Sequence, residues 1–297
     1  MILLLGTCFA ATTFDAERFH PAVSGDLLGV PTAFADGAPG LGGRYLAGVS
    51  VGSVVFEDVT GSRTALVGTR FGGELGARYQ RGRLAGAISL PASRVDGDLA
   101  PPAFVLGDLR VEALGRIYAA GPAAVGAVAA LRLPTGDADR WSGAGQVSGS
   151  GGLVLSARGG PVTGGVTFGV DSGSPYETPT FRWGPQLTWS GGVAIGLPLK
   201  LRAVAELDGG LLLREGGGAD PGEWRLGLGY RATPTLDALV AAGRGYTAGV
   251  GNPTVRVLAS LIVHPTRPLI GRDQGAIRTL APSELRLPRA RLPPASP

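Results

Sequence analysis

The chain has 297 residues, a formal net charge of +4, and 51 glycines and 23 prolines, both well above average usage. Its arginines alternate with apolar residues or crowd into the last thirty positions, forming no basic helix or basic–aromatic block, which argues against nucleic acid as a partner. One cysteine, Cys8, leaves no internal disulfide, and two histidines with no Cys/His cluster leave no metal ligand set or cofactor to expect.

Residues 1–13 read as an apolar run followed by small residues, with Ala10 and Ala11 as cleavage positions, so a secretory signal peptide is expected. The segment 14–42 holds Pro21, Pro31 and Pro39, and two placements stand open for it: in the periplasm, or tucked plug-like into a barrel mouth. From residue 43 an apolar stripe alternates with a polar or glycine stripe at a period of two. In 107–118, Leu109, Val111, Ala113 and Ile117 share one face, while Asp108, Arg110, Glu112 and Arg116 share the other. Repeated along the chain, this is the pattern of a transmembrane β-barrel, apolar toward lipid and polar toward the lumen.

Bounding each alternating run by its turn residues predicts strands over 43–56, 63–79, 84–91, 107–120, 124–133, 146–158, 161–170, 183–197, 199–213, 223–232, 235–245 and 253–264. That is an antiparallel barrel of about twelve strands over 43–264. Most runs reach the roughly 9–11 residues that a tilted strand needs to cross a bilayer. No apolar run of about eighteen residues, the length of a spanning helix, interrupts them. The connections alternate in length. Those after even-numbered strands are tight (80–83, 121–123, 159–161, 198–200, 232–235). Those after odd-numbered strands are mostly longer and more polar (92–106, 134–146, 171–182, 214–223), with shorter ones at 57–62 and 246–252. Short periplasmic turns and longer external loops have this rhythm. An even strand count then puts both termini in the periplasm of a Gram-negative bacterium, with outer-membrane lipid and the outer-membrane assembly machinery as partners.

Tyr79, Trp183, Trp224, Tyr230 and Tyr246 fall at strand ends, where an aromatic girdle would sit, and Trp141 lies in a long loop. With the apolar parity toward lipid, Arg70, Glu74, Arg78, Asp108, Arg110, Glu112, Arg116 and Arg132 become pore-lining candidates. Arg158, Arg202, Glu206, Asp208, Arg225, Arg231 and Arg256 follow on the later strands. Two readings stand for these charges. Neighbouring strands set Arg beside Asp or Glu in a paired ladder, or a surplus of Arg favours small anions passing through an open lumen. Many further inward positions in 146–158 and 186–196 are Gly, Ser, Thr or Ala, leaving room for water or a plug.

Some outer-membrane barrels of this size are phospholipases or proteases, whose serine chemistry needs a base oriented by a third group. His20 precedes the barrel, His264 ends the last strand beside Pro265, and no serine elbow accompanies either, so no enzyme is expected. Loop 136–139 offers two carboxylates, too few oxygens for calcium. The tail 265–297 has Pro and Arg in place of any period and is expected to be flexible.

The segments 14–30, 106–117, 131–145 and 247–263, with the Leu133-Pro134-Thr135-Gly136-Asp137 turn and an opening Phe-x-Pro-Ala-type stretch, resemble the barrel part of OmpA-family outer-membrane proteins of GC-rich Gram-negative bacteria. That resemblance covers about 14 to 265 and implies an outer-membrane barrel. The periplasmic peptidoglycan-binding domain usual in that family has no counterpart in the tail, so anchoring to peptidoglycan is not implied. The functional expectation is a passive porin-like channel for small solutes or ions, with a non-conducting structural or surface-binding scaffold as the alternative.

Overall fold

The computed structural model describes residues 20, 22, 27–33, 39–57, 63–98, 100–173, 176–177, 182–213, 220–247 and 251–264. The expected signal peptide, much of 14–42 and the tail lie outside the described residues. Alternation of apolar and polar residues produces β1 (Gly40–Glu57), β2 (Arg63–Arg81), β3 (Leu84–Gly97), β4 (Ala100–Leu106), β5 (Leu109–Ala120), β6 (Ala123–Leu133), β7 (Ser148–Gly159) and β8 (Val162–Asp171). They are followed by β9 (Tyr176–Glu177), β10 (Arg182–Trp183), β11 (Gln186–Gly196), β12 (Leu201–Leu212), β13 (Gly222–Thr233), β14 (Leu236–Gly245) and β15 (Val255–Val263).

Twelve of these, all but β4, β9 and β10, form a closed antiparallel barrel in chain order. It closes through β1 and β15, with Gly43 opposite Val263 and Val51 opposite Val255. Closure pairs every strand with two neighbours, the condition for spanning hydrocarbon, where an unpaired backbone amide has no water to turn to. β15 shows the cause most plainly: Arg256, Leu258, Ser260 and Ile262 are buried, while Val255, Val257, Leu261 and Val263 between them are exposed. Large apolar side chains cover the outside of the barrel throughout, including Phe71, Leu75, Phe168, Leu226 and Val240. This inside-out distribution suits lipid.

The tight connections gather at one end, together with the first residue of β1 and the last of β15. Gly82, Gly121 and Gly160 sit in three of them at φ of 59°, 54° and 54°, the left-handed region where a side chain is disfavoured. The longer connections gather at the other end. Tyr79 and Tyr230 lie outward near the tight turns and Trp224 and Tyr246 near the long loops, each at least about one-third exposed. For Trp183 only the backbone is described. The strand expected from 183 begins at Gln186 instead, because Arg182 and Trp183 pair with Glu177 and Tyr176 in a separate two-stranded hairpin.

The segment 92–106 differs from the expected loop. β3 continues to Gly97, stays paired with β2 on one side and pairs with β4 as a hairpin on the other. Its prolines, Pro101 and Pro102, sit at a register shift between the Val95–Ala103 and Gly97–Ala100 pairs. An edge strand tolerates them there because no ladder bond needs their missing N–H. Below, β3 pairs with β5, and the break between β4 and β5 falls at Gly107 and Asp108.

Candidate functional site: the occluded lumen

Residues 27–33 lie inside the barrel. Leu27, Leu28, Val30 and Ala33 are fully buried, although they belong to neither strand nor helix. Leu27, Leu28 and Val30 pack against Leu46, Ala194, Val204, Leu239, Ala241 and Leu258 from five strands. Ala33 packs against Ala85, Leu114, Ala124 and Val154 from four others. Part of the inner wall on the tight-turn side is therefore apolar, among polar groups such as Arg44 and Asp237, where the expected inward stripe was charged or small. Parity misses this because β12, β14 and β15 carry apolar residues on both faces there, and such runs do not announce which face is covered by protein.

Three inward glycines make the room. A Cβ on Gly192 would approach Leu27 Cδ1 at 3.1 Å, one on Gly165 would approach the Pro31 carbonyl at 3.1 Å, and one on Gly126 would approach Ala33 Cβ at 3.2 Å. A side chain at any of them would press on the segment, which would have to give by a few tenths of an ångström.

A backbone crossing a lumen must find partners for its polar groups. The Glu206 carboxylate accepts the Leu28 N–H at 2.5 Å and the Gly29 N–H at 3.0 and 3.1 Å. The Ser156 hydroxyl accepts the Ala33 N–H at 2.8 Å. Arg44 donates to the carbonyls of Leu28, Leu27 and Ala22 at 3.0, 3.1 and 3.3 Å. His20 Nδ1 meets Glu74 Oε2 at 3.2 Å, both side chains 5% exposed. Sequence reasoning placed His20 ahead of the barrel and passed over Arg44, whose parity with the buried Leu46 and Ser50 was the available signal.

On the loop side of this segment the inward charges meet in pairs. Arg225 bridges β13 to Asp208 and, at 3.3 Å, Glu206 on β12. It also approaches Glu223 at 3.4 Å, and Arg256 reaches the same carboxylate at 2.9 Å. The latter contact passes over Gly243, which stands opposite both arginines in the ladder. Arg132 likewise passes over β7, donating to Ser148 at 2.8 Å on its way to Asp171 at 2.5 Å. Small residues on the intervening strand let arginine span two neighbours.

Arg110 donates to Glu112 at 2.6 Å. Asp237 holds Arg231 at 3.1 Å and lies 3.2 Å from His264 and 3.9 Å from Arg202, while Arg78 meets the other ring nitrogen of His264 at 3.2 Å. Arg116 and Arg158 are half-buried on the inward parity, whereas Arg231 is more than half exposed at the rim. Glu223, Asp237 and Asp171, absent from the expected set, complete these pairs.

Two candidates do different work. Asp108 precedes β5 and turns its buried carboxylate to the Gly136 and Ala144 amides at 2.9 and 2.8 Å, anchoring the loop 134–147. Arg70 reaches the same loop from β2, donating to the Ser142 hydroxyl at 2.7 Å and the Trp141 carbonyl at 3.1 Å. Ser142 is buried in consequence. The loop is thus held inward at the long-loop end. Thr135 completes the anchor by accepting the Leu109 amide at 2.8 Å.

These features define a twelve-stranded transmembrane β-barrel whose lumen is narrowed by its own N-terminal segment and by an inward loop. No family model and no curated protein match the chain. Among solved structures of similar fold is an outer-membrane channel from Pseudomonas putida F1, at 15% identity and TM-score 0.60, covering 76% of this chain and 95% of that one. The NanC porin matches at 10% identity and TM-score 0.55, covering 76% and 100% of the two chains. The KdgM porin matches at 9% and 0.50, covering 76% and 99%. At these identities the likeness establishes the fold. The OmpA-family resemblance finds no support in these comparisons. The Leu-Pro-Thr-Gly-Asp turn has a local explanation, since Thr135 and the Gly136 amide are what bind the loop to Leu109 and Asp108.

Proposed function

We propose that the chain is a passive outer-membrane channel for small solutes or ions, narrowed by residues 27–33, with the tight turns in the periplasm. The observation that carries this reading is the inner wall. Beside the folded-in segment it keeps a cavity of about 130 Å³ whose lining includes His20, Arg110, Glu112, Ser150, Thr167 and Thr188.

The ion pairs among the lumen arginines support the paired ladder over an arginine-dominated anion filter, because most of the positive charge is compensated within one or two strands. Planar-bilayer recording of the purified protein should give small, steady openings with weak ion selectivity. Absence of openings would overturn the channel and favour the second reading, a non-conducting surface scaffold, which the complete burial of Leu27, Leu28 and Val30 favours. For orientation, Gln146→Cys and Arg83→Cys place thiols on the exposed long-loop and tight-turn ends. An impermeant maleimide on intact cells should label only Gln146→Cys, and labelling only Arg83→Cys would invert the topology.

A further inference from the structure

Resting on the channel reading, we infer that the larger lumen cavity is a binding site for a small uncharged polyol. The cavity has a volume of about 130 Å³. An apolar protein cavity of about 150 Å³ holds benzene, so the space here suits a ligand of roughly six non-hydrogen atoms.

Three residues that line it carry buried polar atoms without a hydrogen-bond partner: His20 Nε2, Thr167 Oγ1 and Arg110 Nε. His20 is held in place by the contact of its other nitrogen with Glu74, and Arg110 by its bond to Glu112. Both are therefore fixed while retaining an unused group. A buried polar atom without a partner is costly, and hydroxyls, which both donate and accept, satisfy a guanidinium N–H, a threonine O–H and either imidazole tautomer.

Charge decides the class. Arg110 is matched by Glu112 at 2.6 Å and the Glu74 carboxylate is engaged by His20 Nδ1 at 3.2 Å, so each charged group beside the site already has a partner. The remaining wall includes Val128, Pro31 and the facing glycines Gly152 and Gly169. A Cβ on either glycine would collide with a neighbouring carbonyl, so this part of the wall stays flat and exposes backbone carbon, a surface for the C–H side of a polyol.

The test uses the full chain in detergent micelles, free of glycerol, with glycerol and erythritol as probes and acetate as the anionic control in saturation-transfer NMR. Saturable binding of glycerol on the order of millimolar is expected for so small a ligand. Binding should weaken about fivefold in Thr167→Val, which removes one hydrogen-bonding hydroxyl at nearly constant shape. No saturable response to either polyol, meaning that water alone occupies the cavity, would overturn the site. So would undiminished binding in Thr167→Val, or a stronger response to acetate. Bilayer recordings on the same sample keep the two readings apart: conductance without polyol binding removes the site and leaves the channel, and polyol binding without conductance removes the channel and leaves the site.

Discussion

Replacing Glu206 with alanine is expected to destabilise the barrel by about 3–5 kcal/mol, the range for removing one partner of a buried ion pair, and to raise its conductance. The Glu206 side chain is fully buried and faces in two directions. Its oxygens accept the amides of Leu28 and Gly29, and Oε2 also meets Arg225 Nε at 3.3 Å. Alanine would leave two segment amides without their acceptor and reduce the charge compensation of Arg225. Glu206→Gln keeps an acceptor for the amides and loses the charge, so it should unfold less readily than Glu206→Ala and conduct more nearly like the wild type. Denaturant unfolding in micelles reads the stability and planar-bilayer recording reads the lumen. A destabilised Glu206→Ala barrel with unchanged conductance would show that residues 27–33 do not limit passage.

Replacing Val240 with arginine should cost about 2–4 kcal/mol if the position lies at the bilayer midplane, where a lipid-facing cation is most costly. Val240 is in the middle of β14, 58% exposed, and stands opposite Leu228 on β13 and Ala259 on β15. Its neighbour Leu239 faces the other way, 2% exposed, against the group that holds Leu27 and Val30. Leu239→Ala should therefore lose packing against the segment, by about 2–5 kcal/mol for a truncated core leucine, without placing a charge in lipid. The two substitutions separate in lipid bilayers of different thickness: the cost of Val240→Arg should fall as the bilayer thins and that of Leu239→Ala should not. A Val240→Arg barrel that folds like the wild type in every bilayer would mean that this face does not contact hydrocarbon.

The sequence by itself determined the strand order, the strand count and which parity faces outward. A period of two is a local property, readable wherever an apolar face meets lipid, as in Leu226, Leu228 and Tyr230 of β13. Turn glycines and the alternation of connection lengths are local as well, which is why five tight turns were legible at one end. The extended β3–β4 hairpin was not, because Pro101 and Pro102 carry a loop signal that a register shift absorbs.

The interior was decided only by tertiary structure. His20 and Glu74 are 54 residues apart and Leu28 and Glu206 are 178 apart, and no periodicity relates them. Whether an inward glycine such as Gly192 faces water or a crossing segment depends on what closure of the ring brings opposite it. Whether Arg225 is a surplus cation or the centre of a compensated group depends on register, with Glu206 directly across and Asp208 two positions on. A strand's pattern records the solvent on its outer face, and the contents of the lumen are set by distant pieces of chain that meet only once the barrel has closed.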